Sequence, residues 1–186
     1  MKKLLFYLTL TAASLNLSAQ NSIINWEKTA IVSGTNPVPV TGYSWFTTTD
    51  NIVATCAYNP VTDKLYVAKR GTDIYIINPA TGAEEGTLSK TGITQGSFGF
   101  QKVRVTSTGE IFAASLRTST ANGNTFVYYW ANEAANPVQI GNATTGITLN
   151  SERSADAFAL TGSGQNVVLY FGGNFNTPAP ATSNVQ

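Results

Sequence analysis

The sequence predicts an all-β protein of the propeller-like class, with two full four-stranded blades, partial blades, and a ring that does not close within this chain. Three observations support this: strand-forming runs separated by turns, an internal repeat of that pattern, and a Thr-Gly-Ile phrase at the end of two units. Four strands per unit at a period of about 45 to 50 residues is typical of propeller blades.

The central unit is residues 64–78, with the sequence KLYVAKRGTDIYIIN. Two runs of β-branched, aromatic and aliphatic residues, 65–68 and 74–77, flank a turn in which Gly71 is free to take positive φ. Turns of Asn, Pro, Asp and Gly precede and follow the unit. Because the runs are nearly continuous in apolar residues, we expect sheets that are buried on both faces.

The strand–turn–strand pattern occurs three times, at residues 57–68, 103–114 and 157–171. The outer strands also repeat, since 74–77 matches 126–130 and 86–88 matches 138–141. A single blade cannot bury both of its faces, so stacked neighbours would cover them for one another. An ordinary β-sandwich remains the alternative, and the Thr-Gly-Ile phrases, at 91–93 and 145–147, favour the propeller.

The number of units is two and a half, fewer than the roughly 4 to 8 blades that close a propeller. A strand predicted at residues 26–32 could add an outer strand to another blade. We therefore expect the chain to be the N-terminal part of a longer protein. Unpaired strand edges near residues 167–171 would then be exposed.

The segment 1–19 has the features of a cleaved signal peptide. Lys2 and Lys3 precede a short apolar run that ends at the small residue Ala19. The expected location is extracellular, cell-surface or periplasmic, with no membrane span in the mature chain. Three further regions follow: an N-terminal strand and Pro/Gly-rich connection (20–50), the blade repeats (51–175), and a Pro/Thr/Ser-rich tail or truncation point (176–186). Aromatic residues at 43–46 are expected to pack over a sheet.

Charge and cysteine content exclude several classes of partner. Removal of residues 1–19 leaves 167 of the 186 residues, with 9 basic and 10 acidic side chains. Such a balance provides no electrostatic footprint for nucleic acid or acidic lipid. Cys56 is the one cysteine and cannot form an internal disulfide. Its apolar neighbours predict a small buried hydrophobic side chain.

A family resemblance rests on several phrases: AYNP at 57–60 with LYVA at 65–68, INPATG at 77–82 with GTL at 86–88, STGEIFAA at 107–114 and FALTGSG at 158–164. Together they resemble a family of secreted bacterial domains of unknown function with propeller-like repeats. Similar phrases occur in quinoprotein-like and surface-layer propellers. The resemblance covers residues 26–174 and implies a large extracellular protein, but it implies no reaction and no catalytic residue.

The absence of histidine excludes Ser-His-Asp and Cys-His catalysis and His-based metal sites. No glycine loop has the spacing of a phosphate-binding motif, and no cofactor is expected. Glu84 and Glu85 could bind Ca²⁺ with Asp73, although an exposed turn is the favoured interpretation. Glu110, Glu152 and Asp156 could supply the two carboxylates of a glycosidase. Glu110, however, lies in a hairpin turn and is expected to be a solvated charge.

Four charged residues are the candidate ligand-binding set: Arg70, Arg117, Arg153 and Asp156. Arg70 and Arg117 follow the second strands of successive units, so they repeat one side chain on one face of the ring. Arg153 and Asp156 flank entry into an inner strand. These residues could line a polar mouth for a carboxylate or sugar, whereas Arg–Asp pairing that ties blades together is the favoured alternative.

Two further features of the sequence concern sugars. The aromatic triplet at 128–130 is either a sugar-stacking platform or, as favoured, alternating core packing. Asn142 begins an Asn-Ala-Thr sequence that matches a glycosylation acceptor. This match carries little weight, because the predicted signal peptide is of a bacterial type.

The sequence thus predicts a secreted, non-catalytic binding or scaffolding module for an extracellular glycan or protein. Two alternatives stay open: the N-terminal part of an extracellular enzyme, such as a polysaccharide lyase or quinoprotein-like oxidoreductase, and a purely structural surface-layer repeat.

Overall fold

The computed structural model describes Trp26 and residues 42–46, 53–71, 73–93, 98–118, 125–140 and 153–174. Within these ranges the chain is built from β-strands and contains no α-helix. The strands are β1 Val53–Asn59, β2 Lys64–Lys69, β3 Asp73–Ile77, β4 Glu84–Thr87, β5 Phe98–Val105, β6 Ile111–Leu116, β7 Val127–Trp130, β8 Val138–Ile140, β9 Arg153–Thr161 and β10 Val168–Asn174.

The strands form three antiparallel sheets in chain order. The first sheet is β1–β2–β3–β4, the second is β5–β6–β7–β8, and the third is β9–β10. Within each sheet, every strand pairs with the next one along the chain, as the short turns between them require. The predicted strand–turn–strand repeats and outer strands are therefore confirmed, and so is the all-β class.

The first strands of the three sheets lie next to one another, β1 beside β5 and β5 beside β9. The first and second sheets bury a common apolar layer between them. Its largest fully buried members come from both sides: Tyr66 and Ile74 from the first sheet, and Tyr128 and Trp130 from the second.

A second apolar layer lies between the second and third sheets. Phe112, Ala114 and Val127 contribute from one side, and Ala155 and Phe158 from the other. Because side chains alternate along a strand, β6 sends Ile111 and Ala113 to the first layer and Phe112 and Ala114 to the second. The second sheet is therefore the central element of the molecule.

The prediction of sheets buried on both faces is confirmed for β6, in which all six residues are buried. It is wrong for β2, in which buried Tyr66 and Ala68 alternate with half-buried Leu65 and Val67. The reason is that the second sheet has a neighbour on each face. The first sheet has a neighbouring sheet on one face within the described part of the chain.

Aromatic residues of the N-terminal region cover part of the other face of the first sheet, as predicted for residues 43–46. Trp45 stacks on Tyr75 with ring centroids 4.1 Å apart, and Tyr43 stacks on Trp45 at 4.8 Å. The Trp26 indole donates a hydrogen bond to the Pro79 carbonyl at 2.7 Å. These aromatic side chains protect apolar surface that the first layer does not bury.

Cys56 is exposed, so the prediction of a buried side chain is wrong. Ala57, its neighbour in β1, packs against the first apolar layer. Because side chains of a strand alternate, Cys56 points to the opposite side. The apolar composition around Cys56 did not reveal which residues face the core.

Several predictions fall on residues outside the described ranges. They are the signal peptide (1–19), most of the N-terminal strand, the connection at 33–41, Asn142, the phrase at 145–147, Glu152 and the tail at 176–186. In the ranges that are described, no helix is long and apolar enough to cross a membrane.

Candidate ligand-binding site

Each of the three sheets has an irregularity in its first strand, near the end where that strand begins. In β1 the register shifts between Val53 and Thr55, and in β5 between Phe98 and Lys102. In β9 the extra residues are Ala155 and Asp156, which interrupt its pairing with β10. Bulges of this kind redirect side chains and are frequent next to functional sites. The three irregularities lie near the starts of the first strands, and this end of the sheets is therefore the candidate location of a binding site.

Arg70 and Arg117 lie at this end and have equivalent positions, directly after β2 and β6. Arg70 Nε donates to Gln101 Oε1 at 2.8 Å, and Gln101 belongs to the irregular part of β5. Arg117 pairs through its main chain with Ser154 of β9, by hydrogen bonds of 3.0 and 3.2 Å. Each arginine position therefore connects its own sheet to the irregular segment of the next sheet.

Arg153 and Asp156 form an ion pair within β9, with Arg153 Nη2 donating to Asp156 Oδ1 at 2.8 Å. The hydrogen bond to Asp156 raises the pKa of Arg153. Asp156 is therefore paired with a residue of its own strand. The extra residues of the bulge bring position 156 back to the side chain of Arg153.

A cavity of about 490 Å³ opens between β5 and the third sheet. Lys102 and Arg104 lie on its β5 side, and Asp156, Tyr170 and Phe171 lie on the other. Cationic groups, a carboxylate and aromatic rings around one space form a site that suits a polar, negatively charged ligand with an apolar face.

The two basic residues of the cavity have different partners. Arg104 Nη1 donates to Thr55 Oγ1 at 3.0 Å and to the Val103 carbonyl at 2.8 Å, which fixes its guanidinium between β1 and β5. Lys102 is half-buried, and no other described side chain pairs with its ammonium group. Lys102 is therefore the cation that is best placed to meet a ligand.

Of the four predicted residues, the structure brings Arg153 and Asp156 into contact and places Asp156 at the cavity. Arg70 and Arg117 lie at the same end of successive sheets but do not line this cavity. Lys102, Arg104 and Tyr170 also line the cavity and were not predicted from the sequence. The available signal was the alternation of Lys102 and Arg104 with two valines, which places both cations on one face of β5.

A second groove, of about 360 Å³, lies at the opposite end of the sheets. Its lining includes Glu110, Tyr129, Ile140 and Leu169. Glu110 accepts hydrogen bonds from the Gly164 amide at 2.7 Å and from hydroxyl groups of neighbouring residues, and these bonds lower the pKa of its carboxyl group. A carboxylate held in its ionised form is a poor general acid.

The other candidate carboxylates have partners of their own. Glu84 accepts a bond of 2.8 Å from the Trp45 indole, Glu85 pairs with Lys64, and Asp73 pairs with Lys90 at 2.7 Å. Glu84 and Glu85 lie in strand β4, so the expectation of an exposed turn is wrong, although both are exposed. Among the described residues, no cluster of His, Cys, Asp or Glu could hold a metal ion.

The aromatic triplet at 128–130 packs alternately on the two faces of its sheet, as the sequence predicts. Tyr128 and Trp130 are buried between the first two sheets, while Tyr129 faces the third. Burial raises the pKa of the Tyr66 hydroxyl to about 12, together with the hydrogen bond that this hydroxyl donates to Glu133.

Comparison with known proteins identifies a fold but no function. No protein-family model matches the chain, and no curated protein matches it. The structure is similar to that of a DUF4623 family protein from Bacteroides eggerthii DSM 20697, with a TM-score of 0.51 and 18% sequence identity. The similarity covers 71% of this chain and 31% of that one, so this chain matches about a third of the neighbour's length. The neighbour is a bacterial protein of a family of unknown function, consistent with the resemblance noted from the sequence.

Proposed function

We propose that the chain is a secreted, non-catalytic, propeller-like module, belonging to a longer protein, that binds an acidic extracellular glycan. The propeller-like arrangement is supported by two four-stranded meanders, a third sheet that begins in the same way, and first strands that adjoin one another. Sheets that stack face to face and cover each other's apolar side chains are the organising feature of such folds.

The cavity between β5 and the third sheet is the observation that carries the ligand proposal. Lys102 and Arg104 supply cationic donors for a sugar carboxylate, and Asp156 accepts hydrogen bonds from sugar hydroxyl groups. The Tyr170 ring offers an apolar surface against which a pyranose can pack. Three kinds of contact converge on one space, as specific recognition of an acidic sugar requires.

The test compares binding of polygalacturonate and of a neutral polysaccharide to the wild-type chain and to Lys102→Gln. We expect the wild type to bind the acidic polymer more tightly and the variant to lose about tenfold, corresponding to one charge-assisted hydrogen bond of about 1.4 kcal/mol. Affinity for the acidic polymer should also fall with added salt.

Lys90→Gln is the matched control, because it removes the same charge from the first sheet, where Lys90 pairs with Asp73. It should bind like the wild type. Equal losses in both variants would mean that the interaction depends on net charge alone and would contradict a site at the cavity. Failure to bind any acidic polymer would reject the proposal.

A structural repeat is the second candidate, and the contacts of Arg70 and Arg117 favour it. Both positions connect one sheet to the next at the end where the cavity opens. On this alternative, Arg70→Ala lowers the free energy of unfolding by about 1 kcal/mol through loss of the bond to Gln101, while no polysaccharide binds. Urea denaturation together with the binding assay separates the two functions.

A further inference from the structure

Among the described residues no strand pairs with the outer edge of β10, and this edge differs from the other outer edges of the sheets. β4 carries two glutamates, and β8 is three residues long and follows Pro137. Charges, prolines and short strands are the usual protection against pairing with another strand. β10 spans Val168–Asn174, with the sequence VLYFGGN, and contains neither a charged residue nor a proline. Its outer edge therefore has none of these protections.

The apolar groove lies directly beside this edge. Tyr129 and Ile140, from β7 and β8, form one wall, and Val167 and Leu169 form the other. All four are half-buried and pack against the second apolar layer. At the corresponding place between the first and second sheets, Ile74, Ile76 and Leu88 are buried in one layer with Tyr128 and Trp130 of β7. The groove is thus the volume that a third and fourth strand occupy elsewhere in the same molecule.

We propose that β10 and the groove form a docking surface for an antiparallel β-hairpin of the repeat's own type. The incoming first strand pairs with the edge of β10, as β7 pairs with β6. On its inner face it carries two large apolar side chains two residues apart, as β7 does with Tyr128 and Trp130. These side chains enter the groove beneath Tyr129 and Ile140.

A second copy of the chain is a poorer occupant of this surface. Two copies of β10 can pair antiparallel only if they are related by a twofold axis perpendicular to the sheet. In that arrangement the equivalent faces of the two sheets point to the same side. The β7 and β8 strands of each copy extend over the space beyond β10, since Tyr129 and Ile140 line the groove there. Both copies would place these strands in the same volume.

The experiment uses a fluorescently labelled synthetic peptide with the sequence of residues 125–140, which contains β7 and β8, as the hairpin probe. Fluorescence anisotropy should show saturable binding to the wild-type chain, and hydrogen exchange of the β10 amides should slow when the peptide is added. A peptide in which serine replaces the residues corresponding to Tyr128 and Trp130 should not bind, because it lacks the side chains that fill the groove.

Two chain variants locate the surface. Ile140→Glu places a charge in the groove, and Val168→Lys places one on the exposed edge of β10. Ile140→Glu should weaken peptide binding by at least about tenfold, since an unpaired charge in an apolar site costs more than the 1.4 kcal/mol that this factor represents. Val168→Lys should also weaken binding, because a lysine on an edge strand opposes pairing with another strand. Val61→Glu is the control, because Val61 is an exposed valine in the turn between β1 and β2.

The outcomes are distinct. Loss of binding in Ile140→Glu and Val168→Lys but not in Val61→Glu supports the docking surface. Absence of peptide binding to the wild type, equal binding by all variants, or self-association that Val168→Lys abolishes without any peptide binding would each overturn it. Since the peptide assay does not involve Lys102 or polysaccharide, its result is independent of the glycan proposal.

Discussion

Two buried or half-buried polar side chains join the hairpin turns of successive sheets. Asn59 Nδ2 donates to the Gly109 carbonyl at 3.1 Å and so connects the β1–β2 turn to the β5–β6 turn. Glu110 accepts from the Gly164 amide and connects the β5–β6 turn to the β9–β10 turn. Adjacent residues of one turn therefore make contacts in both directions, which fixes the spacing of the three hairpins at this end.

Glu110 makes a testable contribution to stability that depends on pH. Its folded-state pKa is lowered from the ordinary value near 4.5, chiefly by the Gly164 amide and also by the Thr106, Thr108 and Tyr129 hydroxyl groups. The unfolded chain therefore binds the proton first as pH falls. The stabilisation is complete above the ordinary pKa and is lost as pH falls through the lower folded-state value.

We predict that Glu110→Gln lowers the free energy of unfolding by about 1 kcal/mol at pH 7. The difference between wild type and variant should shrink below pH 4.5, because the unfolded wild-type chain binds a proton at Glu110 there before the folded protein does. Urea denaturation of both proteins from pH 7 to pH 3 measures it. A difference that stays constant over this range would show that the carboxylate charge does not stabilise the contact.

At the scale of elements, the N-terminal aromatic residues act as a cover for the first sheet. Trp45 is 7% exposed, stacks on Tyr75 and donates to Glu84. Gly82 has φ +67°, and a Cβ there would lie 2.6 Å from the Trp26 ring. The turn after β3 therefore needs glycine both for its backbone conformation and for the approach of Trp26.

We predict that Trp45→Ala lowers the free energy of unfolding by about 3 kcal/mol, because it removes a buried aromatic side chain. Trp45→Phe keeps a ring over Tyr75 and should lose less, mainly the hydrogen bond to Glu84. Thermal denaturation followed by circular dichroism compares the two. Equal and small losses would mean that the aromatic cover is not part of the cooperative fold.

At the scale of the whole molecule, the second sheet packs against another sheet on each face, whereas the other two each pack against one sheet within the described ranges. Every residue of β6 is buried, whereas β10 has an exposed valine and a free edge among the described residues. Local opening requires the least energy where few apolar contacts are broken. Order in the molecule should therefore decrease from the second sheet outward.

Hydrogen exchange measured by mass spectrometry tests this order. We predict that the β6 and β7 amides exchange only through global unfolding, and that the β10 amides exchange orders of magnitude faster. The β2 amides should fall between these limits. Protection of β10 equal to that of β6, without any added peptide, would contradict both this order and a free β10 edge.

The sequence alone determined the strands, their turns and their grouping into two and a half repeats. These features are local: strand-forming runs such as those of β2 and β3, and turns such as the one that requires Gly82, depend on residues close together in the chain. The position of Arg70 and Arg117 after equivalent strands was readable for the same reason.

Tertiary structure alone decided which face of each strand is buried and which residues share a site. Cys56 is exposed because its neighbour Ala57 faces the second sheet, and composition cannot distinguish the two sides of a strand. Lys102 and Asp156 meet at one cavity because β5 and β9, far apart in sequence, become neighbours when the sheets stack. Local pattern records the turn and strand chemistry of each repeat, whereas the packing of one repeat against the next depends on residues that are distant in the chain.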